Sequence, residues 1–396
     1  MKNKLLITKL NRKNQIYIAT ALYQDQTLLE VNLEPAGQQS ILGNIYVGRV
    51  KNIVKNLNAA FIEIAPGIPC YYPLEEMKHP LFVKKINSPK LVQGDEVVVQ
   101  IAQESSKSKP PKVTTNLNLT GKYLVLTSEN TYIGISRKMD AAKREELKQE
   151  LIFDTNKEFG IVVRTNAASA SKEEILAEYD QLKQEYLHLK ETAPYRTVFS
   201  CLKKSIPEYL QTLQNVNQSQ LDAVITDDLE LFEHIQEYLM EFQPKDSKKL
   251  IFYEDNAFPL DQAYRLNFHL QEALQEKVWL KSGGYLMIQP TEALTVIDVN
   301  SGKSVANKQV QEHYLKINLE AAKEVARQLR LRNLSGIIIV DFIDMKSSQS
   351  QEMLMQSLRD AVHTDSVPVQ VVDMTKLNLV EITRKKVRKT LREQVL

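Results

Sequence analysis

Two apolar strand patterns, each ending in acidic residues, constrain the fold of this chain more than any other feature of its sequence. ALTVIDVN (293–300) and GIIIVDFIDM (336–345) flank a long helical pattern. Apolar runs of this length that are rich in β-branched residues are typical of strands. We therefore predict an α/β unit at the end of the chain, with the second strand fully buried. The ends of the strands are where such sheets usually place their ligands.

The acidic residues at these strand ends predict a metal site. Asp298 and Asn300 are two residues apart, so in an extended strand their side chains point to the same face. Asp341 and Asp344 are three apart and would point to opposite faces if the strand continued, which favours Asp341 as the partner of Asp298. Two carboxylates from neighbouring strands, with waters and a substrate phosphate, suit Mg²⁺, which would activate water and neutralise charge on the phosphate. The spacing alone leaves open that these aspartates only cap a turn or the next helix.

The formal net charge is only +2, so the total charge does not indicate a polyanionic partner, and only local clusters of charge can. Basic residues outnumber acidic ones between the two strands, which predicts a positive field around the acidic pair, suited to a phosphodiester. The basic residues of this segment are Lys303, Lys308, Lys316, Lys323, Arg327, Arg330 and Arg332.

Several other chemistries lack support. Cys70 and Cys201 form neither a CxxC pair nor a disulfide framework, and the six histidines contain no HxxxH pair, which argues against zinc. Phosphate-loop and dinucleotide motifs are absent. NRKNQ interrupts the apolar N-terminal stretch, and no run approaches the ~18 apolar residues that span a bilayer. We expect a reduced, cytoplasmic protein.

The earlier part of the chain predicts further subdomains. Closely spaced strand patterns between Gly43 and Leu119, with Gly and Pro between them, are typical of a small β-barrel. Between about 200 and 275, strands such as AVITD alternate with helices such as DLELFEHIQEYLMEF, which predicts a second α/β region.

Several motifs resemble the bacterial ribonuclease E/G family of endoribonucleases. The resemblance is carried in chain order by GNIYVGRV, LNAAFIEI, YYPLEE, TTNLNLTGKYLVL, IVVRT, VIDVNSG, NLEAAKEVARQLRLRNLSGIIIVDFIDM and LVEITRKK. It covers the family's catalytic large domain and implies a multi-subdomain α/β fold. Residues 1–39 and 201–276 would form an RNase H-like subdomain, 40–117 an OB-fold RNA-binding barrel, 118–200 a 5′-phosphate sensor region, and 277–396 a DNase I-like catalytic subdomain.

The resemblance also implies roles for individual residues. The family's two Mg²⁺-binding aspartates and its assisting asparagine fall on Asp298, Asp341 and Asn300, with Mn²⁺ as a substitute metal and no zinc. The residues that hold single-stranded RNA match Phe61, Tyr71 and Lys109. Exposed rings stack on unpaired bases, although barrel core is the alternative for either ring. The residues that grip a 5′-monophosphate match Arg164 and Thr165, supported by Gly121 and Val125.

The chain departs from the family pattern at two places. Family members commonly continue into a CxxC zinc link and a small domain, whereas this sequence stops at Leu396 without those cysteines, so a homo-oligomer would need a zinc-independent interface. An arginine that supports the family's sensor falls on Pro368, which predicts a weaker dependence on the 5′ end.

These observations lead to one main hypothesis and two alternatives. The main hypothesis is a Mg²⁺-dependent endoribonuclease that cleaves single-stranded, A/U-rich RNA, leaves a 5′-phosphate and a 3′-hydroxyl, and serves rRNA processing or mRNA decay. The alternatives are a non-catalytic single-stranded RNA-binding protein of the same family and a DNA-directed metallonuclease. The joint presence of Asp298, Asn300 and Asp341 argues against the first, because a binding module has no need for an acidic pair facing a polyanion. The stacking barrel argues against duplex DNA.

Overall fold

The computed structural model describes residues 3–38, 40–86, 90–105, 109–155, 157–216, 220–255, 257–302 and 310–395. The chain forms two compact units: Met1–Gly37 together with Gln220–Leu396, and Gln38–Ser219. Both strands and helices contribute to each unit, so the expected mixed α/β fold is confirmed. In the described part of the chain, no helix combines the length and apolarity needed to cross a membrane.

The first unit begins with a meander of three antiparallel strands. These are β1 (Asn3–Arg12), β2 (Gln15–Gln24) and β3 (Thr27–Pro35). Buried apolar residues of all three strands, such as Leu6, Ala21 and Leu33, contribute to one core.

The second unit contains a closed five-stranded barrel that resembles an OB fold. Its strands are β4 (Ile45–Val54), β5 (Ala59–Ala65), β6 (Ile68–Pro73), β8 (Glu96–Gln103) and β9 (Lys112–Thr114), and the short strand β7 (Phe82–Lys84) pairs with β8. The barrel follows the order β4, β5, β6, β9, β8, and pairing of β8 with β4 closes it. Closure leaves the barrel strands without a free edge, and the expected barrel is confirmed.

A four-stranded sheet and its helices complete the second unit. The strands are β10 (Asn118–Thr120), β11 (Leu124–Thr127), β12 (Ile133–Ile135) and β13 (Gly160–Val163), and β14 (Cys201–Lys203) pairs with β4. The helices are α1 (Ala141–Glu150), α2 (Lys172–Thr192) and α3 (Glu208–Asn215). Helix α2 begins with a capping box, in which Ser171 and Glu174 satisfy each other's backbone N–H groups.

The chain then returns to the first unit and extends its N-terminal sheet. The elements are β15 (Leu221–Thr226), β16 (Leu250–Phe252), α4 (Leu229–Phe242), α5 (Leu260–Ala263) and α6 (Leu266–Leu274). Strand β15 runs parallel to β1 and completes the order β16, β15, β1, β2, β3. The first unit is therefore built from two stretches that are distant in sequence.

A six-stranded sheet ends the chain. Its strands are β17 (Lys277–Trp279), β18 (Tyr285–Pro290), β19 (Leu294–Asn300), β20 (Gly336–Asp341), β21 (Val369–Met374) and β22 (Leu379–Arg384), with helices α7 (Val310–Leu331), α8 (Ser348–His363) and α9 (Leu391–Val395). The sheet order is β17, β18, β19, β20, β22, β21. Helix α7 ends at Leu331. Asn333, two residues later, has a left-handed φ of 49°, and the Leu334 N–H donates to the Leu329 carbonyl as in a Schellman motif.

One face of this sheet forms the core with α7 and α8. Ile297 and Val299 of β19 and Ile338 and Val340 of β20 are buried there. The intervening side chains point to the opposite face, where Ile337 is 51% exposed. The prediction that β20 is fully buried is therefore wrong, because the helices pack against one face and the strand alternates.

Candidate active site on the C-terminal sheet

Asp298 and Asp341 lie side by side on the face of the sheet opposite to its helical core. Strands β19 and β20 are parallel, and Asp298 is the direct register partner of Asp341. Strand β19 alternates buried and more exposed residues, so Asp298 shares its face with Asn300. Both aspartates are exposed. The geometry brings together two carboxylates and a carboxamide.

Asn300 is hydrogen-bonded to one member of the acidic pair, Asp298. Its Nδ2 donates to Oδ2 of Asp298 at 2.6 Å. Alternation along β19 places Asp298 and Asn300 on the same face, and this bond orients one carboxylate oxygen of Asp298.

Asp344 also lies near the pair, but in an irregular segment. Strand β20 ends at Asp341, so the condition that placed Asp344 on the opposite face is not met. Asp344 is exposed and accepts a hydrogen bond from Asn378 Nδ2 at 3.0 Å. The negative charge of Asp344 contributes to the raised pKa of Asp341.

The pKa of Asp341 is raised above its ordinary value of 3.8. Desolvation is the largest cause, followed by the negative charges of Asp298 and Asp344. Crowded carboxylates disfavour one another's ionised form, and a bound cation relieves that repulsion. This arrangement fits the donor set of a hard divalent cation, for which oxygen ligands are preferred.

The structure provides two adjacent carboxylates rather than a complete protein cage. In the described ranges, no group of three or more His, Cys, Asp or Glu side chains is arranged to hold a metal. Two carboxylates with the remaining positions left to water and substrate suit Mg²⁺, which retains several waters.

The three arginines of the expected positive field do not surround the acidic pair. Arg327 forms an ion pair with Glu324 and donates to the Leu28 carbonyl, and Arg330 pairs with Glu30. Arg332 is only 7% exposed. These side chains are engaged on the helical side of the sheet because α7 packs there, whereas Asp298 and Asp341 project from the other face. Lys303 and Lys308 lie outside the described residues.

Phe61 and Tyr71 form an aromatic pair on the outside of the barrel. They are register partners on β5 and β6, with ring centroids 6.3 Å apart at 72°. Both rings are half-buried, whereas the alternate residues Ile62 and Tyr72 are buried inside. Neither ring belongs to the barrel core, which was the alternative left open by the sequence.

The lysines near this pair differ in their surroundings. Lys109 is exposed, and it precedes Pro111, whose carbonyl accepts the Tyr71 N–H at 2.8 Å. Lys112 is the register partner of Tyr71 and forms an ion pair with Glu76 at 2.5 Å. Sequence reasoning missed Lys112, although the strand pattern KVT that follows the Pro pair could have placed it beside the rings.

Arg164 and Gly121 are in direct contact in the predicted sensor region. The Arg164 guanidinium donates to the Gly121 carbonyl and to Oδ1 of Asn215. Thr165 is exposed, and its hydroxyl lies 3.0 Å from that of Ser136. Val125 is half-buried on the neighbouring strand β11. Pro368 lies in the other unit, directly before β21.

Glu178 organises the loop that contains Gly121. Its carboxylate accepts the N–H groups of Lys122, Tyr123 and Leu124 at 2.7–2.8 Å. A Cβ on Gly121 would lie 2.3 Å from Oε1 of Glu178, so a larger residue there would displace this carboxylate. Sequence reasoning missed Glu178 and Asn215, because both lie in polar helical patterns that contain no local indication of a distant partner.

Together these features define a class of protein: an α/β protein that combines a closed OB-like barrel carrying exterior aromatic rings with a sheet carrying a carboxylate pair suited to a divalent cation. The sequence profile described as the Ribonuclease E/G family matches residues 118–387, more than half of the chain. The chain belongs to the ribonuclease E/G family.

Individual members of the family align over most of the chain. Ribonuclease G of Haemophilus influenzae is 33% identical over 389 residues, which cover 95% of this chain and 78% of the relative. Ribonuclease G of Escherichia coli strain K12 is 31% identical over 383 residues, 93% of this chain and 77% of the relative. Ribonuclease E of Haemophilus influenzae is 30% identical over 403 residues, 98% of this chain and 42% of the relative.

Proposed function

We propose that this chain, an endoribonuclease of the ribonuclease E/G family, hydrolyses internal phosphodiester bonds of single-stranded, A/U-rich RNA with Mg²⁺ as its cofactor. The products carry a 5′-phosphate and a 3′-hydroxyl, and the activity serves rRNA processing or mRNA decay. The register pairing of Asp298 with Asp341 is the observation that carries this proposal.

Asp298 and Asp341 would hold the cation, with Mn²⁺ as a substitute. When bound, a divalent cation at such a site supplies an activated water and positive charge against the scissile phosphate. Asn300 orients the Asp298 carboxylate through the bond from its Nδ2. Asp344 adds a further negative charge beside Asp341, which favours a cation at this face.

Phe61 and Tyr71 would bind the RNA by stacking on unpaired bases. Their rings lie outside the barrel core, on the surface that a ligand can reach. Stacking requires splayed bases, which favours single-stranded RNA over a duplex. Lys109 and Lys112 would contribute positive charge near the backbone.

Arg164 and Thr165 would recognise a terminal 5′-monophosphate, with Gly121 and Val125 as supporting residues. A guanidinium and a neighbouring hydroxyl suit the oxygens of such a group. The contacts of Arg164 with Gly121 and Asn215 support this assignment because they fix the side chain in place. With Pro368 in place of a supporting arginine, the preference for a 5′-monophosphate is modest.

We extend the proposal to the subdomains. Residues 1–39 and 201–276 would form an RNase H-like subdomain, 118–200 the sensor region, and 277–396 a DNase I-like catalytic subdomain. The parallel pairing of β15 with β1 supports joining the two segments of the RNase H-like subdomain from Gln220 onward. The predicted boundary at residue 201 is too early, because β14 and α3 belong to the second compact unit.

Asp298→Asn tests the proposal. The substitution keeps the side-chain shape and removes a charge, so cleavage should fall by at least ~10³-fold. Binding of a labelled single-stranded RNA in EDTA should stay within about twofold of the parent, because it depends on rings and basic groups. Cleavage by the purified variant at the parental rate would contradict the assignment.

A further inference from the structure

Asn318 is a fully buried carboxamide in the middle of helix α7. Its exposed fraction is 0%. Both polar atoms of its side chain form hydrogen bonds with the backbone of Ile343. Nδ2 donates to the Ile343 carbonyl at 2.8 Å, and Oδ1 accepts the Ile343 N–H at 3.1 Å. A helix side chain thus satisfies both backbone groups of a residue in the segment that follows β20.

This double contact replaces the hydrogen bonds that the sheet no longer provides. Strand β20 ends at Asp341, so Ile343 has no strand partner. Backbone groups removed from water need partners, and leaving them unpaired is costly. Phe342 and Met345 on either side are anchored in the core at 4% and 7% exposure. Asp341 and Asp344 therefore extend from a backbone that Asn318 and the core fix.

Two further side chains of α7 hold neighbouring segments. Gln311 Oε1 accepts the Lys346 N–H at 3.0 Å. Glu320 accepts the N–H groups of Lys281 and Ser282 at 2.6 and 3.2 Å, in the turn that precedes β18.

That turn packs tightly against the end of β19. A Cβ on Gly284 would lie 2.7 Å from the Asn300 carbonyl oxygen, and a Cβ on Gly302 would lie 2.5 Å from the Gly283 carbonyl oxygen. Helix α7 therefore contacts the backbone beyond β20 directly, and through Glu320 it holds the turn that packs against the end of β19.

We propose that Asn318 is a positioning residue for the active site: by clamping Ile343 it fixes Asp341 and Asp344 in the arrangement that binds the divalent cation. The inference rests on the proposed function. Replacing a residue that orients metal ligands without binding the metal itself typically lowers metal affinity or activity by about 10- to 100-fold.

Asn318→Leu is the test, with Gln328→Leu as its matched control. Gln328 is also a buried carboxamide on α7, at 2% exposure, but it bonds Glu324 and Arg332. Both substitutions remove two hydrogen bonds from the same helix, so both should lower thermal stability. Only Asn318→Leu removes a contact with the segment after Asp341.

Three quantities separate positioning from stabilisation. They are the affinity for Mn²⁺ measured by electron paramagnetic resonance without RNA, the Mg²⁺ concentration that gives half-maximal cleavage, and KM for RNA at saturating Mg²⁺. We expect Asn318→Leu to weaken Mn²⁺ binding and raise the half-maximal Mg²⁺ concentration by about 10- to 100-fold. KM for RNA should be unchanged, and Gln328→Leu should match the parent in all three.

Folded Asn318→Leu with parental Mn²⁺ affinity would overturn the inference. Should Asn318→Leu not fold, Asn318→Ala replaces it, because it removes both contacts with Ile343 without adding volume to the core. We expect Asn318→Ala to weaken Mn²⁺ binding by about 10- to 100-fold as well, and parental affinity would overturn the inference. Asp298→Asn distinguishes failure of the proposed metal site from failure of the inference about Asn318. If Asp298→Asn binds Mn²⁺ like the parent, the proposed metal site is wrong. If it loses Mn²⁺ while the Asn318 variant retains it, only the role of Asn318 is wrong.

Discussion

Asp298 and Asp341 are opposed register partners in the parallel pair β19 and β20, on the face of the sheet that α7 and α8 leave uncovered. Alternation along each strand places apolar residues toward the helices and these carboxylates away from them. The packing that stabilises the sheet thereby brings two acidic groups together. The pKa of Asp341 is raised, mainly by desolvation and further by the negative charges of Asp298 and Asp344.

Asp341→Asn should be far more damaging than Asp344→Asn. Asp341 is paired directly with Asp298, whereas Asp344 lies beyond the strand and bonds Asn378. We expect kcat/KM to fall by at least ~10³-fold for Asp341→Asn and by about 10-fold for Asp344→Asn. Glu292→Gln, an exposed carboxylate before β19, is the charge-matched control. An equal or reversed order of the two aspartates would contradict the assignment of Asp341.

Phe61→Ala and Tyr71→Ala should each weaken binding of single-stranded RNA. Loss of a stacking ring costs about 1–3 kcal/mol per base, which corresponds to a roughly 5- to 150-fold rise in Kd. Fluorescence anisotropy in EDTA measures this without cleavage. Tyr72→Phe is the control, because its ring is inside the barrel and the change removes only its hydroxyl contact with Thr115. RNA affinity that survives both alanine substitutions would show that the RNA binds elsewhere.

Arg164→Ala should reduce the advantage of a 5′-monophosphorylated RNA over the same RNA with a 5′-hydroxyl. Asn215→Ala should act in the same direction but less strongly, because Arg164 keeps its contact with Gly121. The measurement is the ratio of kcat/KM for the two substrates, with the rate on 5′-hydroxyl RNA as the internal control. An unchanged ratio in Arg164→Ala would remove this residue from 5′-end recognition.

Glu178 should make the stability of the protein depend on pH. Desolvation raises its pKa above the ordinary 4.5, and the three backbone N–H groups and Arg164 oppose that shift. A raised pKa means that the folded state binds the proton more tightly. The contribution of Glu178 to stability is therefore greatest at low pH and declines as pH rises from 4.5 through the folded pKa.

Glu178→Gln removes this titration. The free energy of unfolding of the parent minus that of the variant should fall with pH over that window and level off above it, as urea denaturation can measure. The lost acceptor shifts the difference by a constant, so the slope is the test. A difference that rises with pH would reverse the sign of the shift.

The regular elements of the C-terminal sheet could be predicted from the sequence, because each depends on local periodicity. The alternation in ALTVIDVN and the apolar run in GIIIVD gave β19 and β20, and the helical pattern between them became α7. The spacing of Asp298 and Asn300 placed both on one face. The barrel could also be predicted, because its short strands are separated by Gly and Pro.

Long-range partners could not be predicted, because they depend on which elements pack together. The arginines of α7 looked like a field for phosphate, but Arg330 pairs with Glu30, which is 300 residues away. Asn318 lies in an ordinary helical sequence. Its contact with Ile343 arises only because β20 ends at Asp341, which the sequence does not indicate. The placement of Asp344 on the opposite face was conditional on the strand continuing past Asp341, and the backbone there is no longer a strand.

The most direct measurement of the central claim is the chemistry of the ends that the purified protein produces on one single-stranded oligoribonucleotide, with Mg²⁺ and with EDTA. We predict cleavage only with the cation, and products with a 5′-phosphate and a 3′-hydroxyl, because water activated beside Asp298 and Asp341 is the nucleophile. Products ending in a 2′,3′-cyclic phosphate, formed equally well in EDTA, would contradict it, since the ribose hydroxyl would then be the nucleophile and the acidic pair would have no part in the reaction.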